Sequence, residues 1–343
     1  MNELIKKILK QCKKINKTKL ISTILVYELA ILNLRIEKIL FDKKNKYGSP
    51  VKITKKYLKN LLNLIEDLKT FNEYGKKITI KKIKYKREAE HKKLFQKLWV
   101  NYSFEQYKKE RLTRYLKRIR INKLQKFIKR IKIIDFGCGH GNFLVACYLT
   151  GAKHCVGIDY GKSSINYGNS ILKKLVIKSN KIKLLVKSVY KSNQKENFFD
   201  FAIQNGVFHH LDNEPMAYKE VHRVLKPNGY FWIYTRGGGG LCDLIMAMSQ
   251  NILETIDKNF VVNQIRSFGL TTNKEYHLGD CLNAIYRNTT LPKLKNMLKK
   301  TGFCNFKQLK GGYKNDSDKP FYKDKYFKEK FGSGDLRILC QKK

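Results

Sequence analysis

An apolar strand that runs straight into three alternate glycines constrains this chain more tightly than any other feature. The run is Ile133-Ile134-Asp135-Phe136-Gly137-Cys138-Gly139-His140-Gly141-Asn142-Phe143. Glycine adopts the positive backbone angles of a tight turn and lets the main chain approach a ligand, leaving N–H donors at the start of the next helix. An acid followed by such a loop suits a nucleotide-like cofactor, although phosphate cradles and plain tight packing use similar turns.

The surrounding sequence completes a βαβ unit. Asn142 to Thr150 reads as a short helix stopped by Gly151. His154 to Ile158 follows as a buried strand ending in Asp159, 24 residues beyond Asp135, where a ribose-binding acid belongs in a nucleotide fold. The other reading of Asp159 is a cap on the helix that starts near Ser163. Lys181 to Lys187 is expected as a third strand, and Phe198 to Leu211 as a fourth strand running into a loop. The next helix carries Pro215 in its first turn and an apolar stripe of Ala217, Val221, Val224 and Leu225. Leu225-Lys226-Pro227-Asn228-Gly229 has the residues of a turn and feeds a fifth strand, Tyr230 to Thr235.

In this order and at these spacings, residues 131 to 236 resemble a class I S-adenosylmethionine-dependent methyltransferase, of the broad type that includes the ubiquinone and menaquinone biosynthesis enzymes. The resemblance is carried by Asp135 to Gly141, by Val156-Gly157-Ile158-Asp159, and by Phe199-Asp200-Phe201 and Val207 to Leu211 together with Val224 to Gly229. It implies an α/β, Rossmann-like seven-stranded sheet with helices on both faces. Cys304 to Leu309 and Leu336 to Gln341 would then be the last two strands, an antiparallel edge hairpin.

The resemblance also implies roles. Gly137, Gly139 and Gly141 would approach the methionine and ribose parts of S-adenosyl-L-methionine, and Asp135 its amino group. Asp159 would accept both ribose hydroxyls, a task for two carboxylate oxygens. Many relatives place an acid near the end of the third strand for the adenine amino group. This chain has Lys187-Ser188-Val189-Tyr190 there, so Ser188 and the backbone around Val189 are the candidates. Asn205 and Gly206 would lie beside the methionine portion and the transferred methyl. His209 and His210 are candidate general bases, because imidazole titrates near neutrality; the same histidines often pack beneath the following helix and hold the loop.

The remainder of the chain is read as additions to this core. Residues 1–85 form a basic helical extension, with Leu58, Leu61, Leu62, Ile65 and Leu68 at helical spacing. Residues 86–130 are lead-in helices, with Trp99, Tyr102, Phe104, Tyr107 and Tyr115 among basic residues. Such interleaving suits either nucleic acid or a lid over the cofactor, and Tyr102, Tyr107 and Arg111 are its substrate-side candidates. The methyltransferase domain spans 131–343 with a cap inserted at 237–290, after the fifth strand. Arg236, Tyr276 and His277 are substrate candidates there.

Charge points outward. Lysine and arginine number 72 against 28 acids, and residues 1–130 hold 38 against 11, which is +27 of the +44. That excess fits an anionic partner such as RNA or an anionic surface, and it equally fits the codon usage of an AT-rich genome. The eight cysteines show no metal spacing and read as reduced, mostly buried thiols of a cytoplasmic protein. No metal site is expected. The apolar stretch Leu20 to Leu34 is broken by Glu28 and is too short to span a membrane.

The expected activity is transfer of a methyl group from S-adenosyl-L-methionine to an oxygen or nitrogen of a small-molecule or sugar-containing acceptor, with S-adenosyl-L-homocysteine as product. The alternatives are an RNA methyltransferase that uses the basic N-terminal half, and a non-catalytic cofactor-binding partner subunit.

Overall fold

A computed structural model describes residues 1–72, 103–284, 287–313 and 315–343. Trp99, Tyr102 and the whole of the lysine-rich stretch at 75–90 lie outside the described residues. The chain divides into two units. One comprises Met1–Lys86, Gly239–Ile285 and Asp324–Gly332; the other comprises Arg87–Gly238, Tyr286–Lys323 and Ser333–Lys343.

The second unit is built on one sheet of β1 Lys132–Phe136, β2 His154–Asp159, β3 Ile182–Val186, β4 Phe199–Asn205, β5 Leu225–Arg236, β6 Phe303–Gln308 and β7 Asp335–Lys342. Its spatial order is β3-β2-β1-β4-β5-β7-β6. The β1 to β5 pairs are parallel, and β7 runs antiparallel to both β5 and β6. This is the expected seven-stranded Rossmann-like methyltransferase sheet with its antiparallel edge. Chain order reverses where β1 lies between β2 and β4, and a crevice opens beyond the carboxyl ends of strands at such a switch point.

Period-2 alternation explains why both faces of the sheet are covered. Ile133, Phe201, Ile203 and Trp232 point into one core, and Ile134, Phe136, Phe199, Ala202, Phe231 and Ile233 into the other. The first core is closed by the lead-in segment: α4 Phe104–Gln106, a π-helical turn Tyr107–Leu112, α5 Thr113–Ile121 and α6 Gln125–Ile128. It is also closed by α7 Asn142–Leu149 and α8 Lys162–Lys174. The second core is closed by α9 Glu214–Val224 through Ala217, Tyr218, Val221 and Val224. Asn213 caps that helix by accepting the Met216 N–H at 3.2 Å.

One local reading is corrected. The turn expected at Leu225–Gly229 falls inside β5, because Leu225 already pairs with Phe199 while Tyr230 pairs with Phe201. Four residues thus loop out against one on β4. Asn228 takes a positive φ of 62°, so the turn chemistry was legible but the pairing that brackets it was not.

The first unit holds α1 Asn2–Cys12, α2 Lys19–Leu40 and α3 Pro50–Asn72 together with α10 Leu241–Ile252, α11 Lys258–Ser267, α12 Thr272–Asn283 and α13 Phe327–Phe331. The segment expected as a cap therefore shares its core with the N-terminal helices. Inside this core, Asn33 on α2 donates to Ser249 Oγ on α10 at 3.0 Å. Lys330 is 1 % exposed, and its ammonium is held by Asp324 at 2.7 Å, Asn45 at 2.8 Å and the Asp42 carbonyl at 3.0 Å. Burial without such partners would be costly. Among the described residues no helix is long and apolar enough to cross a membrane.

Candidate cofactor and acceptor site

The glycine loop leaves β1 and is fastened to β2. The N–H groups of Gly137 and Cys138 both donate to the Ile158 carbonyl, at 2.8 and 3.0 Å. Gly137, Gly139 and Gly141 have φ of 76°, 53° and 75°, a region that L side chains adopt only with strain. They differ in surroundings. A Cβ on Gly137 would meet Val207 Cγ2 at 2.5 Å, and one on Gly141 would meet Leu184 at 3.1 Å, whereas one on Gly139 would meet nothing within 4 Å. The middle glycine therefore has open space beside it, and the outer two are packed against the fold.

Asp159 locks the loop. One carboxylate oxygen accepts the Gly139 N–H at 2.9 Å and the other accepts the Gly161 N–H at 2.7 Å. Each oxygen keeps a further lone pair. Burial raises its pKa, and the two backbone N–H groups oppose that rise. Gly161 is the residue before α8, and no side chain caps that helix, so Asp159 tethers the two loops rather than forming the helix cap that is the other reading of it.

Asp135 lies at the carboxyl end of β1, 2 % exposed. Its Oδ1 is buried and has no hydrogen-bond partner among the described residues. Burial, and secondarily the charge of Asp159, push its carboxyl well above the usual range. An unpartnered buried acceptor is costly unless a donor reaches it, and a cationic or N–H donor at this place would lower the pKa again. An acceptor without a donor and an open glycine beside it are what a cofactor carrying an amino group requires, so the residues present fit S-adenosyl-L-methionine.

The loop after β4 is held by a residue that sequence reasoning passed over. Gln204 is completely buried; its amide donates to the Tyr234 carbonyl at 3.0 Å and its carbonyl accepts the Val207 and Phe208 N–H groups at 3.0 and 3.4 Å. Asn205 follows, donating to the Tyr115 hydroxyl at 3.3 Å and accepting from Trp232 Nε1 at 3.4 Å. Tyr115 stacks on Phe143 with ring centroids 4.8 Å apart, and Phe143 meets Trp232 edge-on at 5.2 Å. Gly206 has φ 83°, and a Cβ there would meet the Tyr234 ring at 3.0 Å. Ser188 accepts the Tyr190 N–H at 3.2 Å in the turn after β3, and Val189 is buried.

His209 and His210 form a turn of 3-10 helix and are 4 % and 5 % exposed, their rings 4.1 Å apart. His209 Nδ1 lies 3.3 Å from Thr235 Oγ1, and its carbonyl accepts the Arg287 N–H at 2.9 Å. Tyr107, expected on the substrate side, is instead completely buried in the core around α7. Arg111 is half-buried on the same helical turn. Together with burial, its charge pushes the His140 imidazole down to about 4. Arg236 ends β5, and its carbonyl accepts the Thr289 N–H at 3.3 Å. Tyr276 and His277 belong to the other unit, where His277 lies 3.9 Å from Glu37 and 3.6 Å from Cys281 Sγ. All eight cysteines are free thiols, six of them buried.

A family model of the methyltransferase domain matches residues 128–306. The chain belongs to that family. Among curated proteins, it is 30 % identical over 127 residues to EEF1A lysine methyltransferase 2 of Homo sapiens, covering 33 % of this chain and 53 % of that protein. The Danio rerio protein of the same name is 28 % identical over 123 residues, covering 34 % and 52 %. Ubiquinone biosynthesis O-methyltransferase of Pelagibacter ubique is 31 % identical over 121 residues, covering 35 % and 48 %. This member of the methyltransferase-domain family spans about half the length of the curated relatives it matches.

Proposed function

We propose that the protein transfers a methyl group from S-adenosyl-L-methionine to an oxygen or nitrogen of a small-molecule or sugar-containing acceptor. The observation that carries this reading is the buried Oδ1 of Asp135, without a hydrogen-bond partner among the described residues, beside an open Gly139. Bound at this loop, S-adenosyl-L-methionine supplies a methyl already activated by its sulfonium. Asp135 receives the amino group of its methionine part. Asp159 keeps the Gly139 N–H and adds the ribose hydroxyls on its remaining lone pairs. Ser188 and the backbone at Val189 flank the adenine, and Asn205 and Gly206 bound the methyl.

The protein's remaining task is to align the acceptor and exclude water. Tyr115 and Trp232 fix the Asn205 amide on both sides, which sets the floor against which the acceptor rests. We assign His209 a holding role at this loop, because it is buried against Thr235 and its carbonyl ties Arg287. The acceptor's proton then leaves to water or to His210. A second reading, RNA as acceptor, is favoured by one face of α3 that exposes Lys52, Lys55, Lys56 and Lys59.

Radiolabelled methyl transfer from S-adenosyl-L-methionine into small-molecule, RNA and protein fractions of a cell extract separates these readings. Label in the small-molecule fraction is expected. Label confined to RNA or to protein would overturn the assignment of the acceptor.

A further inference from the structure

Among the described residues, two cations on the lead-in helix have no hydrogen-bond acceptor. Arg114 and Lys117 are one turn apart on α5, and each lies over the ring of Tyr313, 5.0 and 4.7 Å from its centroid. Among the described residues neither makes a hydrogen bond or an ion pair, and the Nε of Arg114 is closed off from solvent with no acceptor. The carboxylates of the same wall are already engaged. Asp316 holds Arg118 at 2.7 Å and Arg337 at 2.9 Å, while Asp318 and Asp335 hold Arg337 at 2.8 and 3.2 Å. Arg118, Arg337, Asp316, Asp318 and Asp335 are all buried; the Arg114 charge acts on Asp316 from a distance, but none of these carboxylates accepts a hydrogen bond from it.

The wall borders the proposed methyl-transfer site. Tyr115, which follows Arg114, has its hydroxyl 3.3 Å from the Asn205 amide and its ring stacked on Phe143. Tyr234, which abuts Gly206, donates to Asp335 at 3.3 Å. The chain that carries Tyr313 is sewn to α5 as well: Asn122 accepts the Lys310 N–H at 2.8 Å, and Arg118 donates to the Gly311 carbonyl at 3.3 Å.

A guanidinium that is partly desolvated and lacks an acceptor is relieved most by an anion that takes two of its N–H groups at once, and carboxylate and phosphate both have that geometry. The Tyr313 ring attracts both cations by cation–π interaction and offers their N–H donors no hydrogen-bond acceptor of its own. We propose that Arg114, Lys117 and Tyr313 form a subsite for a carboxylate or phosphate group on the acceptor molecule. This assignment rests on the methyltransferase reading and narrows its substrate to an anionic acceptor. A lysine side chain approaching this wall would meet like charge, so a lysyl acceptor is disfavoured.

The test uses the full chain saturated with S-adenosyl-L-homocysteine, titrated calorimetrically at fixed ionic strength with benzoate, with inorganic phosphate and with neutral benzamide. Benzoate or phosphate is expected to bind saturably, and the tighter of the two identifies the anionic group. The variant R114Q/K117Q should weaken that anion by about tenfold or more, and R114K, which keeps the charge without the planar fork, by an intermediate factor. The variant K10Q/K13Q, at exposed lysines on the other unit, should leave anion binding unchanged and so controls for the general basicity of the chain. Equal anion affinity in wild type and R114Q/K117Q, benzamide binding as tightly as benzoate, or no saturable anion binding would each overturn the subsite. If S-adenosyl-L-homocysteine itself failed to bind the wild type, the methyltransferase reading would fall first and the subsite with it.

Discussion

The Asp159 carboxylate and the Gly139 amide are 2.9 Å apart, a contact that joins the end of β2 to the middle of the glycine loop after β1. The same carboxylate holds Gly161 at 2.7 Å. Its loss therefore frees two partly buried backbone donors as well as removing the proposed ribose acceptor. Asp159→Ala should destabilise the fold by about 1–3 kcal/mol and weaken S-adenosyl-L-homocysteine by at least about tenfold. Asp159→Asn, which keeps one acceptor oxygen, should lie between. Chemical denaturation and calorimetry on the three proteins measure both effects.

The glycines of the loop should separate into two kinds. Gly137→Ala combines a positive φ with a Cβ 2.5 Å from Val207, and a cost of about 2–4 kcal/mol is expected. Gly139→Ala carries only the conformational strain, roughly 1 kcal/mol, but places a methyl in the open space proposed for the cofactor. Thermal unfolding should rank Gly137→Ala as the less stable protein. Cofactor binding should fall in Gly139→Ala even where the fold survives.

Arg337 is 1 % exposed and meets Asp316, Asp318 and Asp335 within 3.2 Å. Replacing it leaves three buried carboxylates with a single remaining guanidinium, Arg118. Arg337→Met should cost about 3–5 kcal/mol, because an uncompensated buried charge is worse than an absent pair. Restoring much of that loss by adding Asp318→Asn would show that the penalty is electrostatic. Denaturant midpoints at constant m-value are the readout.

Stability should depend on pH through His140. Its folded pKa is pushed down to about 4, below its ordinary value of 6.5. The unfolded chain therefore takes up a proton below pH 6.5 that the folded chain does not. The corresponding stability is complete above pH 6.5 and is lost as pH falls toward 4, amounting to about 3 kcal/mol at most. Asp135 has the opposite sign, since its folded pKa is raised above 3.8 and stability is lost as pH rises. His140→Gln should flatten the acid side of the profile, and Asp135→Asn should change it in the other direction. Urea unfolding between pH 4 and 8 distinguishes the two.

Much of the sheet could be read from local pattern, because β1, β2, β4 and β5 are apolar runs closed by glycine, asparagine or an acid, and those punctuations depend only on neighbours in sequence. The glycine loop and Asp159 were legible for the same reason. What escaped was anything assembled across the chain. Arg118 meets Asp316 across 198 positions, and no spacing rule links a lead-in helix to the segment between β6 and β7. Gln204 looked like an ordinary strand residue, since its role comes from the Val207 and Phe208 amides that fold back onto it. Tyr107 shared its aromatic and basic surroundings with Tyr115, yet only Tyr115 reaches Asn205. The residues at 239–284 offered no signal that they share a core with the helices of residues 1–72.

The central claim is that this loop binds the methyl donor through Asp135 and Asp159. Isothermal titration with S-adenosyl-L-homocysteine tests it most directly, using the wild type, Asp135→Asn and Asp159→Ala. One site per chain with a dissociation constant on the order of micromolar is expected, weakened by at least about tenfold in each variant. Absence of saturable binding to the wild type, or binding that both substitutions leave unchanged, would contradict the account.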